Sequence, residues 1–148
     1  MNLLLANEQD ALVVDEGRLR SEFSTIAAAA GWEGELSIAL IMDDEMQELN
    51  RRFLEHDCPT DVLAFPMEDG EGEIVVSAER AVAVAAERGV DPLSELMLYL
   101  VHGLLHLLGY DDHEPEPARR MHALSLKLLR EVGYRNRISS RERKESRD

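Results

Sequence analysis

Residues 91–113 read DPLSELMLYLVHGLLHLLGYDDH, and this stretch decides the architecture more than any other. Asp91 followed by Pro92 is typical of a helix start, because aspartate caps free amide groups and proline suits the first helical position. From there to Gly109 the sequence is apolar nearly all round, which indicates a central, buried helix of about eighteen residues. Gly109 is a natural helix terminator. The stretch therefore predicts a long buried helix that ends in a turn.

Outside this helix, shorter segments alternate between strand and helix patterns. Strands are predicted from Leu3 to Ala6, Glu35 to Met42, Val62 to Pro66 and Glu73 to Ser77, the last two forming a hairpin around an acidic turn. Helices are predicted from Asp15 to Ala30, from Asp43 or Asp44 onward, from Ala78 to Glu87 and from Glu116 to Val132. This order favours an α+β fold, a small mixed β-sheet of about four strands packed with about five helices.

Composition limits the class of protein. The 148 residues are 45% hydrophobic and 31% charged, which fits one water-soluble domain. The single cysteine, Cys58, excludes an internal disulfide and a cysteine-based structural zinc site. No apolar run approaches the roughly 20 residues that cross a bilayer. We therefore expect a cytoplasmic protein with no membrane partner.

Charge divides the chain into two parts. The net charge of −14 opposes non-specific binding to a polyanion. Residues 135–148 nevertheless carry a net charge of +3, so residues 1–134 carry −17. We predict a single domain over residues 1–134 and a basic, flexible tail over residues 135–148. The tail is either a solvated end or a basic arm that contacts nucleic acid or another partner.

His102 and His106 stand four residues apart on the predicted buried helix. Both imidazoles therefore project from one face, one turn apart, and can reach one metal ion at roughly 2.0–2.1 Å. The aspartates and histidine of residues 111–113 can fold back after the helix to supply a third ligand. Packed or surface histidines are the ordinary alternative, but two buried imidazoles on so apolar a helix need partners. The pattern predicts a metal site that keeps a position open for water.

Gly103 stands where the HExxH motif of zinc proteases has its glutamate base. A general base of that kind is therefore not available from this helix. Either the metal alone lowers the pKa of its water, or an acid from elsewhere assists. A histidine and carboxylate donor set favours Zn²⁺, and Ni²⁺ fits the same set.

Several segments, in order, resemble the YbeY family of bacterial single-domain endoribonucleases. The run HGLLHLLGYD at residues 102–111 resembles the family signature, and residues 49–66 and 72–77 (GEIVVS) resemble two further family segments. The resemblance covers roughly residues 35–134. It implies a zinc-dependent endoribonuclease, specific for single-stranded RNA, that acts in the maturation of the 3′ end of small-subunit ribosomal RNA and in ribosome quality control. It also implies RNA and the ribosome or ribosomal proteins as partners.

The chain departs from the family at the third metal ligand. The family has a histidine there, whereas an alignment without a gap, supported by Met121, places Asp112 at this position. A carboxylate oxygen can bind zinc at roughly 2.0–2.2 Å. The predicted ligands are therefore His102, His106 and Asp112, and the alternative third ligand is His113, which requires a one-residue bulge.

Two further assignments lie outside the ligand set. Leu54 occupies the position of a family arginine that is thought to contact RNA, and the neighbouring Arg51 or Arg52 is the predicted substitute. His122, on the last predicted helix, is expected to be a surface or core-edge residue rather than a ligand.

Two other functions fit the same residues. Metal-assisted hydrolysis does not by itself choose a substrate, so a hydrolase of a peptide or a small ester is one alternative. A ribosome-associated binding protein with a structural metal is the other. The coordination of the metal distinguishes this binding protein from a hydrolase, because a fourth protein ligand would close the site to water.

Overall fold

The computed structural model describes residues 2–54, 61–110 and 113–134, and within these ranges it has the expected α+β architecture. The strands are β1 (Leu3–Asn7), β2 (Leu36–Ile41), β3 (Val62–Pro66) and β4 (Gly72–Ser77). The helices are α1 (Glu16–Ala30), α2 (Asp43–Leu54), α3 (Ala78–Arg88), α4 (Pro92–Leu107) and α5 (Pro115–Glu131). The predicted tail at residues 135–148 lies outside the described residues.

The four strands form one mixed sheet in the order β1-β2-β4-β3. β1, β2 and β4 are parallel, with Ile38 of β2 beside Leu5 of β1 and Ile74 of β4. β3 is antiparallel to β4, so the predicted hairpin is confirmed. Each parallel neighbour requires a crossover connection, and the helices between the strands supply it.

Helices cover the two faces of the sheet unequally. The main core contains side chains of α1, α3, α4 and α5, packed against alternate residues of β2 and β4. A second, smaller cluster packs α2 onto the opposite face, and its buried members are Ile41, Met46, Leu63 and Val75. The sheet therefore lies between a layer of four helices and a single helix.

α4 is the central helix, as its apolar sequence predicts. Ten of its 16 residues are buried, and Pro92 occupies its first turn. The Asp91 carboxylate accepts a hydrogen bond from the Leu93 amide at 3.2 Å, which confirms the predicted cap. No helix within the described residues is long and apolar enough to cross a membrane.

The start of α2 differs from the prediction. Asp43 or Asp44 was expected to cap this helix from outside, but α2 already begins at Asp43. Both carboxylates therefore lie in the first turn, where negative charge interacts favourably with the positive end of the helix dipole. The error is one of boundary, because aspartate is favoured both at the cap and in the first turn.

The chain reverses direction directly after α4. The Gly109 amide donates to the His106 carbonyl at 3.0 Å, and the Tyr110 amide donates to the Leu105 carbonyl at 2.9 Å. Gly109 has a φ of 98°, a left-handed conformation that glycine adopts without strain. α5 begins at Pro115 and packs against α4, so the two form a helical hairpin.

Candidate metal centre

Four of the five polar side chains of α4 form one stripe along the helix. Glu95, Tyr99, His102 and His106 are separated by four, three and four residues, which places them on one face. Glu95 and Tyr99 are 2% and 3% exposed, whereas His102 is half-buried and His106 is exposed. The stripe thus runs from the core to the surface and ends at the histidine pair.

The expectation that both imidazoles are buried is wrong for His106. Of the two, His102 is half-buried and His106 is exposed. The face of α4 that carries them meets solvent at the end of the helix, although Leu104 and Leu105 in the same turn stay fully buried. An exposed His106 leaves the space beside the pair accessible to solvent. The number of protein ligands, and not the exposure of one of them, separates a catalytic from a structural site.

The histidine pair fits a divalent transition metal ion. Two imidazoles one helical turn apart supply nitrogen donors of the kind that zinc and nickel prefer. His113 is exposed and lies just before α5, whereas Asp112 lies outside the described residues. Among the residues that are described, no three histidine, cysteine or acidic side chains converge on one point. Two predicted ligands therefore share one helix face, and the third stays a prediction.

The position between the two histidines has no room for a glutamate. A Cβ added at Gly103 would lie 2.7 Å from Cγ2 of Ile74 and 3.1 Å from Cγ2 of Val62. α4 packs directly onto β3 and β4 here, so even a methyl group requires a shift. Packing thus explains why the HExxH glutamate is absent.

α5 places another imidazole beside the pair, which the sequence did not assign to the site. The ring centroids of His102 and His122 lie 6.3 Å apart at an interplanar angle of 62°, an edge-to-face arrangement. His122 is half-buried, as expected for a core-edge residue. Spacing along the chain could not reveal the contact, because it depends on how α5 folds back on α4.

The buried end of the stripe holds a carboxyl group and a phenol. Tyr99 donates a hydrogen bond to Glu95. Burial raises the pKa of Glu95, the hydrogen bond from Tyr99 partly offsets this rise, and the charge of Asp61 adds to it. Burial, together with the charge of Glu95, also raises the pKa of Tyr99. Burial thus shifts the pKa of both groups in the direction that favours the neutral form.

Arg51 and Arg52, the predicted RNA contacts, lie exposed in the last turn of α2. Arg51 forms an ion pair with Glu48 of the same helix. Exposed pairs of this kind contribute little to stability. The Arg51 guanidinium can therefore exchange its carboxylate partner for a phosphate at small cost.

Ser77 ties the segment that carries these arginines to the end of β4. Its hydroxyl donates to Oδ1 of Asp43 at 2.7 Å and accepts from the Arg80 amide at 3.0 Å. Its own amide donates to the Asp61 carbonyl at 3.3 Å. Asp43 is the first residue of α2, and Asp61 is the next described residue after that helix, since residues 55–60 lie outside the described residues. Ser77 therefore fixes both ends, a role for which the sequence offers no signal beyond a helix cap.

Comparisons with known proteins agree along nearly the whole chain. Residues 4–133 match the family model described as Endoribonuclease YbeY. The chain is 37% identical to the Endoribonuclease YbeY of Carboxydothermus hydrogenoformans over 137 residues, which covers 87% of this chain and 96% of the relative. It is 38% identical to that of Salinispora tropica over 148 residues, covering 87% and 94% respectively. A solution structure of a Thermotoga maritima protein is similar with a TM-score of 0.62 and 27% identity, covering 87% of this chain and 90% of that one.

Proposed function

This chain belongs to the endoribonuclease YbeY family, and we propose that it is a metal-dependent hydrolase that cleaves single-stranded RNA. Its proposed task is maturation of the 3′ end of small-subunit ribosomal RNA and ribosome quality control, with the ribosome or ribosomal proteins as partners. The observation that carries the proposal is the histidine pair of α4, which lies near the end of a largely apolar helix with His106 exposed. The proposed location is the cytoplasm.

We assign His102 and His106 as ligands of one ion per chain. Asp112 is the proposed third ligand, and His113 is the alternative. Zn²⁺ suits this set of nitrogen and oxygen donors, and Ni²⁺ fits it as well. When bound, such an ion supplies Lewis acidity at a phosphoryl oxygen and a water of lowered pKa.

The chain's own residues orient the substrate and hold the donors. The exposed His106 side chain, in the last turn of α4, is where an RNA strand would reach the ligand pair. Arg51 and Arg52 offer guanidinium groups to phosphates, but the net charge of −14 keeps overall attraction to RNA weak. The imidazoles must be neutral to bind an ion, so activity is expected to fall on acidification as protons compete for the same nitrogens.

Cleavage assays on the metal-loaded full chain test the proposal. We expect a single-stranded RNA to be cleaved, a duplex of the same sequence to be spared and casein to be left intact. A chelator should abolish cleavage, and added Zn²⁺ should restore it. Hydrolysis of casein without cleavage of RNA would instead support the peptide hydrolase.

His106→Ala separates catalysis from a structural metal. His106 is exposed, so its removal should cost little stability while it abolishes both metal binding and cleavage. Lys127→Ala, at an exposed position of α5, serves as the control and should keep both. If His106→Ala loses the metal and unfolds at a much lower temperature, the metal is structural.

A further inference from the structure

His122 reaches the proposed metal site from a helix other than the one that carries the ligand pair. The helical hairpin brings α5 against α4, and the His122 ring meets that of His102 edge to face at a centroid distance of 6.3 Å. Both rings are half-buried, so the contact lies at the margin of the core rather than in open solvent.

α5 is packed into the core on both sides of His122. Met121 and Ser125, on either side of His122, are 2% and 0% exposed, and Leu128 and Leu129 continue the buried face. The Ser125 hydroxyl donates to the Met121 carbonyl at 2.9 Å within the helix. Because its neighbours are anchored in the core, the backbone of His122 has little freedom relative to α4.

His122 does not join the ligand pair as a third donor in this arrangement. No three donors converge within the part of the chain that the structure describes. Two imidazoles that share one ion have ring centroids roughly 5–6 Å apart, from metal–nitrogen distances of roughly 2.0–2.1 Å. The observed 6.3 Å lies just beyond that range and within the range of an aromatic edge contact.

We propose that His122 is a positioning residue that holds the His102 imidazole in the orientation needed to share an ion with His106. This inference rests on the proposed function, because it concerns the same metal site. A ligand that is oriented before the ion arrives loses less conformational freedom on binding. Partners that orient metal ligands through hydrogen bonds typically change metal affinity by about 10–100-fold when they are removed, and we take this range as the expectation for the ring contact.

Zinc affinity of the full chain, measured by competition with a chromogenic chelator, tests the proposal without reference to activity. We expect His122→Ala to bind Zn²⁺ about 10–100-fold more weakly than the unaltered chain. His122→Phe keeps a ring of similar shape and should restore most of the affinity. Leu124→Ala is the matched control, since Leu124 is a partly buried residue of α5 packed against the core. It should leave zinc affinity within about threefold, which shows that loosening α5 is not enough.

Three results would overturn the proposal. Affinity within threefold in His122→Ala means that the ring contact is incidental. An equal loss in Leu124→Ala means that His122 acts only through the stability of α5. An equal loss in His122→Phe means that a nitrogen of His122, as a ligand or a hydrogen-bonding group, and not the ring contact, carries the effect.

His106→Ala distinguishes failure of this inference from failure of the proposed function. If His106→Ala abolishes zinc binding while His122→Ala does not weaken it, only the role of His122 is wrong. If His106→Ala binds zinc as tightly as the unaltered chain, the metal site itself is wrong, and the proposed function fails with it.

Discussion

Glu95 shows what burial does to one carboxyl group of α4. The residue is 2% exposed, it accepts a hydrogen bond from Tyr99, and its Oε1 has no hydrogen-bond partner within the described residues. Burial raises the pKa of Glu95 above its ordinary value of 4.5. Between 4.5 and the raised pKa of the folded state, the folded protein binds more protons than the unfolded chain. Stability therefore falls as the pH rises from the first value to the second.

Glu95→Gln removes this titration and keeps an oxygen that can accept from Tyr99. As the pH rises above about 4.5, the unaltered chain loses stability through this titration and the variant does not. We therefore expect the free energy of unfolding of the variant to increase relative to that of the unaltered chain. Denaturant unfolding at several pH values measures the difference. Glu87→Gln, at an exposed position of α3, should show no such trend. A difference that is constant with pH, or that widens toward low pH, contradicts the assignment.

At the scale of single residues, the sequence predicts the candidate ligands better than it predicts their neighbours. His102 and His106 follow from spacing alone, because both lie on one helix. The contact of His122 with His102 and the bond of Ser77 to Asp43 join different elements. Spacing along the chain carries no information about such pairs. The burial of His106 was predicted wrongly because the apolar run does not show which face of the last turn of α4 stays uncovered.

The packing of α4 onto the sheet depends on Gly103. An added Cβ would lie 2.7 Å from Ile74 and 3.1 Å from Val62, and β-branched side chains in a sheet have little room to move. We expect Gly103→Ala to destabilise the fold by roughly 1–3 kcal/mol despite the better helix propensity of alanine. Denaturant unfolding measures the change.

Gly17 supplies the matched control for that substitution. It also lies within a helix, α1, but an added Cβ there would approach nothing closer than Oδ1 of Asp15 at 3.7 Å. Gly17→Ala should therefore stabilise the protein by up to about 1 kcal/mol. Equal effects of the two substitutions would show that helix propensity, and not the contact with the sheet, decides the outcome.

The junction at Ser77 joins α2, β3 and α3. Ser77→Ala removes the hydrogen bonds of the Ser77 hydroxyl with the Asp43 carboxylate and the Arg80 amide. We expect the free energy of unfolding to fall by roughly 1–3 kcal/mol. Because α2 carries Arg51 and Arg52, we also expect KM for RNA to rise more than kcat falls. Unfolding curves and steady-state kinetics give the two numbers.

Ser125→Ala is the control for this experiment. Ser125 is as buried as Ser77, but its hydroxyl donates to the Met121 carbonyl of its own helix and, within the described residues, joins no other element. We expect Ser125→Ala to lower the free energy of unfolding less than Ser77→Ala does and to leave KM unchanged. A larger loss in Ser125→Ala than in Ser77→Ala would remove the special role of the junction.

At the scale of elements, the sequence predicts all four strands and all five helices that the structure describes, with boundaries shifted by a residue or two. Periodicity and capping are local signals, so elements such as α1 and α4 emerge clearly. The strand order β1-β2-β4-β3 and the placement of α2 alone on one face do not follow from local signals. They depend on which apolar faces pack together.

Charge is a property of the whole molecule, and it limits how RNA can be held. The net charge of −14 opposes attraction to RNA, whereas residues 135–148 carry a local net charge of +3. Tyr134, just before them, is tied to α1 by a hydrogen bond from its hydroxyl to Glu22 at 2.7 Å. A chain that ends at Tyr134 keeps this bond.

Removal of residues 135–148 tests the basic arm. We expect an unchanged melting temperature, weaker RNA binding and a shallower dependence of log affinity on log salt. The slope should fall by about 0.7 for each phosphate contact that is lost on a single strand. Binding titrations at several salt concentrations measure it. Unchanged affinity and slope would show that the segment is a solvated end.

The central claim concerns one ion shared by two imidazoles, and a crystal structure of the metal-loaded chain with anomalous scattering tests it most directly. We expect one anomalous peak per chain, roughly 2.0–2.1 Å from a nitrogen of His102 and of His106, with one further protein ligand and a water. Three results would contradict the account. The first is the absence of such a peak in protein loaded with one ion per chain. The others are rings that point away from each other and a fourth protein ligand in place of the water.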